Sequence, residues 1–207
     1  MNHRAQTPAK RKTCRRYNDP GDAHSLTFSC FQRRPFLSKD RTCLWLIESL
    51  DSARRRHRFD LWAYVLMPEH VHLLIFPRTD DYSISKILSA IKLPVTRRAS
   101  AYMRRHQPQA LGMMRDAQPN GRAAYRFWQR GGGYDRNLVK PKLVHATMEY
   151  IHANPVRRKL VASPEDWLWS SAGYYAGTSE APLALDAESI PARGAGMLRS
   201  EGWHAAL

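Results

Sequence analysis

Residues 60–76 constrain the fold more than any other stretch of the chain. They form two short apolar runs, DLWAYVL and HVHLLIF, joined only by Met67-Pro68-Glu69. Apolar runs of this length, rich in aromatic and branched residues and bounded by a turn signal, predict β-strands. The segment therefore predicts two strands of a sheet, against which the other elements must pack.

Strand and helix patterns alternate on both sides of these two strands. We predict a strand at 24–31, a helix at 40–57, the strands 60–66 and 70–76, a helix at about 83–105, a short fourth strand at 125–129, and a helix at 141–154. Pro94 is expected to bend or break the second helix, and Pro155 to stop the third. This order indicates an α+β protein with a ferredoxin-like antiparallel sheet (βαββαβ) and an added C-terminal helix. One face of such a sheet packs on its helices, and we expect the other to be free for a substrate.

The two ends of the chain differ in composition from the region between them. Residues 1–23 are polar and basic and lack an apolar segment, which predicts a flexible arm rather than a secretory signal. Residues 176–207 are rich in Ala, Gly, Ser and Pro and are expected to form a C-terminal tail. We therefore predict one domain at residues 24–175.

The charge of the chain indicates a polyanionic partner. Lys and Arg number 33 against 18 Asp and Glu, which gives a net charge of +15. Nucleic acid and a membrane surface are the two usual partners of such a protein. No run of about 18 apolar residues exists and no strongly amphipathic basic helix stands out, so we favour nucleic acid and expect no membrane. Any single arginine cluster is equally compatible with a solvated helix face.

His70 and His72 are the first candidate functional residues. Side chains two apart in a strand point the same way, so both imidazoles are expected on one face, with Val71 and Leu73 on the other. Two parallel imidazoles supply two ligands of a divalent metal site. Two histidines that merely alternate with apolar residues fit the same pattern, so a metal site needs a third ligand.

Tyr150 and Asn154 are the second pair of candidates. Residues four apart on a helix lie about 40° apart on one face. A tyrosine hydroxyl one turn from an amide oxygen can point to a metal that the amide also binds. The alternative is structural, with Tyr150 at the edge of the core and Asn154 capping the helix before Pro155.

Three segments together resemble a known family. They are VLMPEHVHLLIFP (65–77), FWQRGGGYDRNL (127–138) and MEYIHANPVRRKLVASPEDWLWSS (148–171). Their order and content are similar to the REP-associated tyrosine transposases, a branch of the single-tyrosine "HUH" transposases of bacterial insertion sequences. The resemblance covers roughly residues 25–175. Asparagine rather than glutamine at position 154 resembles the REP-associated branch in particular.

The resemblance implies the HUH nuclease fold and a complete active site. Tyr150 would be the nucleophile, and His70, His72 and Asn154 would bind Mg²⁺ or Mn²⁺. The implied activity is that of a single-stranded DNA endonuclease and strand transferase acting on hairpin DNA, including REP-like elements, through a covalent 5′-phosphotyrosine intermediate. The protein would be cytoplasmic and associated with the bacterial nucleoid, as a monomer or a homodimer.

Basic and aromatic residues are the candidates for DNA contacts. Arginines would meet phosphates, and exposed aromatic rings would stack on unpaired bases. The candidates are Arg15, Arg16, Arg97, Arg98, Arg157 and Arg158 for phosphates, and Trp128 and Tyr134 for bases. Core packing is the alternative for the tryptophan.

The sequence is also compatible with two other functions. One is a ferredoxin-like module that binds nucleic acid without cutting it, although an RNP-type aromatic pair is missing from the central strand. The other is a metal hydrolase that activates water, although the chain has no HExxH motif and no obvious carboxylate ligand. No residue is assigned as the base for Tyr150, because Glu69 is expected on the sheet face opposite His70.

Overall fold

A four-stranded antiparallel sheet forms the centre of the computed structural model, which describes residues 17–118, 121–196 and 198. Its first three strands are β1 (Ala23–Ser29), β2 (Phe59–Met67) and β3 (His70–Pro77). After a small separate ribbon of β4 (Arg115–Ala117) and β5 (Ala123–Tyr125), β6 (Tyr134–Leu138) completes the sheet in the order β2-β3-β1-β6. This is the predicted ferredoxin-like α+β arrangement. Arg15 and Arg16 lie outside the described residues.

Helices α1 (Asp40–His57) and α2 (Ile84–His106) cover one face of the sheet. Leu26 and Phe28 of β1 and Val71, Leu73 and Ile75 of β3 are buried in one cluster with the apolar side chains of these helices. The alternation predicted for β3 is therefore confirmed, because its odd-numbered side chains face the helices. The even-numbered histidines face the other way.

The other face of the sheet is also covered, so the expectation of a free face is wrong. Helix α3 (Pro141–His152) packs there through Val144, Met148 and Ile151, which are buried against side chains of β2 and β3. These residues form an apolar stripe at helical spacing. Packing on the sheet buries this apolar surface, and the burial stabilises the position of the helix. A short α4 (Asn154–Arg157) and, further on, α5 (Ala172–Ala176) follow.

The fourth strand lies at a different place from the one predicted. Residues 126–129 belong to no strand, and the fourth strand of the sheet is β6, within a segment expected to begin as a loop. Phe127 and Trp128 are buried in the core as an irregular segment, with a single bridge between Cys30 and Trp128. The aromatic residues of segment 125–129 are the reason why a strand was predicted there. The segment YDRNL is a strand because it pairs with β1, although only Leu138 of it is buried.

Both prolines expected to interrupt helices lie within helical structure. Pro94 is inside the continuous α2. Pro155 lies in the first turn of α4, where a backbone N–H is not needed, after α3 has ended at His152. In α2 the N–H missing at Pro94 would have bonded to the carbonyl of Ala90. The Ser49 hydroxyl of α1 donates to that carbonyl at 3.2 Å and to the carbonyl of Ile91 at 2.7 Å.

We expect Ser49→Ala to destabilise the fold by about 1 to 3 kcal/mol, because it leaves a buried carbonyl without its donor. Thermal or urea unfolding followed by circular dichroism measures the change. Ser52→Ala, at an exposed position of the same helix, is the matched control and should stay within about 0.5 kcal/mol of wild type. Equal stability of the two variants would contradict the role of Ser49.

The segment after α5 is bonded to the sheet edge. Leu183 is buried, and the Asp186 carboxylate accepts a hydrogen bond from the Leu61 backbone N–H at 2.8 Å and pairs with Arg54 at 3.0 Å. The Trp62 indole N–H donates to Ser189 at 2.8 Å. The described part of the region expected as a tail is thus in contact with β2. Within the residues described, no helix has the length and apolar character needed to cross a membrane.

Candidate active site

The two histidines lie side by side on the sheet face covered by α3. Their ring centroids are 4.8 Å apart and the rings are nearly perpendicular, at 86°. Both residues are 7% exposed. In the sheet register, His72 lies between Val65 of β2 and Thr27 of β1. The strand therefore holds both imidazoles in fixed positions between two neighbouring strands.

Each imidazole is held through its Nδ1 atom. The Nδ1 of His72 is 2.7 Å from Oγ1 of Thr27, and the Nδ1 of His70 is 3.2 Å from Oε1 of Glu69. Within the described part of the chain, neither Nε2 has a protein hydrogen-bond partner. When Nδ1–H donates to an oxygen, Nε2 keeps its lone pair, which is the arrangement that metal-binding histidines adopt.

Burial keeps both imidazoles neutral. Desolvation, with a smaller contribution from His70, lowers the pKa of His72 to about 4. Desolvation also lowers the pKa of His70, although the Glu69 carboxylate partly opposes this. Neutral imidazole is the form that binds a metal, so the pair is in that form at neutral pH.

Tyr150 is brought directly to this pair by α3. Its ring lies edge-to-face against the ring of His72, with centroids 5.6 Å apart. The residue is 46% exposed, so a substrate has access to it. The Arg157 guanidinium lies 5.1 Å from the centre of the same ring. The nucleophile expected from the sequence and the histidine pair thus form one cluster beside a cation.

Asn154 is 7% exposed and lies one turn after Tyr150. Its Nδ2 donates to the Tyr150 carbonyl at 2.7 Å, which is the capping contact expected if the residue is structural. The same contact fixes the orientation of the amide and leaves Oδ1 as its acceptor. Among the described residues, no three His, Cys, Asp or Glu side chains are grouped as a metal site. Further ligands of a metal bound to the two histidines would therefore come from an amide oxygen, from water or from the substrate.

The predicted arginine contacts divide between two regions. Arg157 and Arg158 are exposed and lie at the site, near Tyr150 and Glu69 respectively. Arg97 and Arg98 are exposed on α2, which packs on the opposite sheet face, and Arg98 pairs with Glu48. The structure therefore does not bring the α2 pair to the histidines.

The two predicted stacking residues differ in exposure. Tyr134 is 55% exposed and pairs with Thr27 in the register of the sheet, which places it on the histidine face. Trp128 is 5% exposed, and its indole N–H donates to the Lys92 carbonyl at 3.0 Å. A ring buried in this way presents no stacking surface, so base stacking on Trp128 is not supported. Its ring packs against Phe28 in the core, which is the alternative expected for this tryptophan.

Sequence reasoning placed Glu69 wrongly and did not identify Thr27. Glu69 was expected on the face opposite His70, but its carboxylate contacts the His70 ring. The alternation of a strand does not apply to Glu69, because β2 ends at Met67 and β3 begins at His70. Thr27 became recognisable only with the strand register, because its partner His72 is 45 residues away in sequence.

The turn before β6 depends on a glycine that touches the residue supporting His72. Gly133 has φ +75°, and a Cβ atom built on it would lie 2.0 Å from the Thr27 carbonyl oxygen. We expect Gly133→Ala to destabilise the protein by about 2 kcal/mol or more beyond Gly131→Ala. Gly131 has φ +88° but no atom within 4 Å of its Cβ position. Thermal unfolding of both variants separates the effect of the clash from that of backbone strain. Equal losses of stability in the two variants would contradict the clash at Gly133.

The burial of His152 is expected to make the protein less stable in acid. Burial lowers its pKa to about 4 from 6.5, and its Nε2 is 2.8 Å from the Ser171 hydroxyl. The unfolded chain binds the proton more readily than the folded one. The contribution of neutral His152 to the free energy of unfolding is therefore complete above pH 6.5 and is lost as the pH falls toward 4. We expect His152→Gln to reduce this loss by on the order of 1 to 3 kcal/mol in urea titrations. The same change at exposed His106 is the control, and an unchanged pH slope in His152→Gln would contradict the prediction.

Comparison with known proteins connects this geometry to a family. A search of curated proteins finds no match. A structure described as a REP-associated tyrosine transposase bound to a REP hairpin is similar, with 20% identity and a TM-score of 0.62, covering 86% of this chain and 93% of that one. A putative transposase of Deinococcus radiodurans R1 has 20% identity and a TM-score of 0.40, covering 69% and 94%. The first similarity supports the HUH-type fold.

The family model described as "Transposase IS200 like" matches residues 23–154. This range begins with β1 and ends at Asn154, so it contains both histidines, Tyr150 and the whole central sheet. Because the match covers more than half of the chain, the protein belongs to the family of IS200-like transposases.

Proposed function

We propose that this protein is a single-stranded DNA endonuclease and strand transferase that acts on hairpin DNA through a covalent 5′-phosphotyrosine intermediate. The observation that carries the proposal is the contact between the Tyr150 ring and His72, beside a second histidine on the same face of the sheet. A tyrosine whose only role is core packing is expected to be buried. Tyr150 is instead 46% exposed, next to two buried imidazoles.

The residues present fit a divalent cation such as Mg²⁺ or Mn²⁺. His70 and His72 would bind it through Nε2, and Asn154 through Oδ1. Two imidazoles and an amide oxygen form a mixed nitrogen and oxygen donor set, which suits Mn²⁺ better than Mg²⁺, because Mg²⁺ prefers oxygen ligands and would depend on water or phosphate oxygens for most of its coordination. The bound ion would neutralise charge that develops on the oxygens of the scissile phosphate.

The chemistry assigned to Tyr150 conserves the energy of the phosphodiester. The tyrosine oxygen attacks phosphorus, a new O–P bond forms, and the bond from phosphorus to the 3′ oxygen breaks. The Tyr150 hydroxyl gives up its proton on attack, and the leaving 3′ oxygen takes up one proton and becomes a free 3′-hydroxyl. Attack by the 3′-hydroxyl of another strand reverses the step, releases Tyr150 and joins new ends.

The charges around the site support an anionic substrate. Arg157 and Arg158 place two guanidinium groups beside the tyrosine and the histidine strand, and the chain carries +15 overall. The similar solved structure is described as bound to a REP hairpin, which supports a hairpin as the substrate. A REP-like repeat, a monomeric or dimeric state and a location at the bacterial nucleoid are parts of the same proposal.

A single assay tests the proposal against its alternatives. Labelled single-stranded oligonucleotides with imperfect hairpins are incubated with the protein and Mg²⁺ or Mn²⁺, and products are separated on a denaturing gel. A protein–DNA adduct that survives denaturation is the expected result. Cleavage without an adduct would indicate a hydrolase that activates water, and binding without cleavage with either ion would indicate a non-cleaving module.

A further inference from the structure

Glu69 occupies a central position beside the histidine pair. It lies in the turn between β2 and β3 and is 8% exposed. One of its oxygens, Oε1, is 3.2 Å from Nδ1 of His70, 3.0 Å from Nη2 of Arg158 and 3.7 Å from Nη2 of Arg33. A single carboxylate oxygen thus contacts a candidate metal ligand and two cations from distant parts of the chain.

The position of Glu69 favours a supporting role over metal binding. Within the described part of the chain, His70, His72 and a carboxylate do not form a three-residue metal group. The carboxylate meets His70 at Nδ1, which leaves Nε2 as the nitrogen that could bind a metal. Carboxylates that bond this second nitrogen fix the tautomer and the orientation of the ring. Thr27 makes the corresponding contact to His72 through a neutral hydroxyl.

Arg158 connects the same carboxylate to the segment that carries the nucleophile. Tyr150, Asn154 and Arg158 follow one another at intervals of four residues. The Asn154 amide donates to the Tyr150 carbonyl at 2.7 Å, and the Arg158 backbone N–H donates to the Asn154 carbonyl at 3.1 Å. The Arg158 side chain then reaches Glu69 beside His70. A chain of contacts therefore runs from the tyrosine segment to the histidine strand.

We propose that Glu69 is a positioning residue that orients His70, and that its ion pair with Arg158 aligns the segment carrying Tyr150 and Asn154 with the histidine strand. The inference rests on the proposed function and deepens it. Arg158 is half exposed, at 51%, so the pair contributes little to global stability. Its effect is on the relative position of the nucleophile and the metal ligands.

Three variants separate the contact of Glu69 with His70 from its contact with Arg158. Glu69→Ala removes both, whereas Glu69→Gln keeps an oxygen that accepts from the His70 Nδ1–H and loses the charge that attracts Arg158. Arg158→Ala removes only the link to the tyrosine segment. Arg33→Ala is the matched control, because it removes a cation near the same carboxylate without changing the tyrosine segment.

Mn²⁺ affinity of the DNA-free protein, measured by electron paramagnetic resonance, tests the contact with His70. We expect Glu69→Ala to weaken Mn²⁺ binding on the order of 10- to 100-fold and Glu69→Gln to restore most of the affinity. Nitrogen NMR of the metal-free protein should show the Nδ1–H tautomer of His70 in wild type and its loss in Glu69→Ala. Wild-type affinity and tautomer in Glu69→Ala would overturn the orienting role.

Single-turnover cleavage tests the link through Arg158. We expect Arg158→Ala to slow adduct formation at saturating Mn²⁺ more than Arg33→Ala does, and to cause a smaller loss when Glu69 is already Ala. Equal losses from Arg158→Ala in both backgrounds would show that it acts on DNA independently and would overturn the alignment. If wild type neither binds Mn²⁺ nor forms an adduct, the proposed function itself has failed. Thermal unfolding checks that every variant is folded.

Discussion

Replacing Tyr150 with Phe is expected to abolish the covalent protein–DNA adduct and to reduce strand cleavage by at least about 10³-fold, because the attacking oxygen is lost while the ring is retained. The ring keeps its edge contact with His72, and the residue is already 46% exposed. The fold should therefore be unaffected. Denaturing gels of labelled hairpin oligonucleotides measure both the adduct and the cleaved strand.

Tyr174→Phe is the matched control for this experiment. Tyr174 is exposed to a similar extent, 41%, and lies on α5, outside the cluster around the histidines. It should form the adduct at the wild-type rate. Cleavage that persists in Tyr150→Phe would assign the histidines to water activation and refute the nucleophilic role of the tyrosine.

Replacing His72 is expected to have the second largest effect. His72→Ala removes one of the two imidazoles in the cluster and should slow adduct formation by at least about 10²-fold, because the ion would supply several kcal/mol of charge stabilisation in the transition state. It should also weaken Mn²⁺ binding in the absence of DNA. Adduct formation and Mn²⁺ binding are measured on the same protein samples.

Two further variants keep this result interpretable. His72 is 7% exposed, so truncation to Ala leaves a cavity, and His72→Gln retains most of the volume without an imidazole. Both changes should impair Mn²⁺ binding, even where only Ala lowers the melting temperature. His106→Ala, at an exposed histidine of α2, should behave as wild type. Wild-type Mn²⁺ binding in both His72 variants would exclude His72 as a ligand.

The parts of this site that follow from local periodicity were predictable. Alternation along β3 placed His70 and His72 together on one face, and helical spacing placed Asn154 one turn from Tyr150, as the structure shows. Both rules depend only on the backbone of one element. The identification of α1, α2 and α3 followed in the same way, to within a few residues at their ends.

The parts that depend on contacts between distant segments were not predictable. Nothing in YDRNL resembles a buried strand, and β6 exists because β1 offers it a partner. The contacts of Thr27 and Glu69 with the two histidines depend on the strand register and on a turn, where periodicity carries no information. The covering of the second sheet face by α3 likewise depends on tertiary packing of its apolar stripe.

The outer edge of β2 has a consequence for how copies of the chain associate. Later segments of the chain form backbone hydrogen bonds with this edge. The Leu66 N–H donates to the Trp169 carbonyl at 2.8 Å, the Ser171 N–H donates to the Tyr64 carbonyl at 3.0 Å, and the Asp186 N–H donates to the Leu61 carbonyl at 3.1 Å. An edge occupied in this way offers no row of free donors and acceptors for another strand. Within the described residues, β2 therefore offers no free edge through which a second copy could extend the sheet.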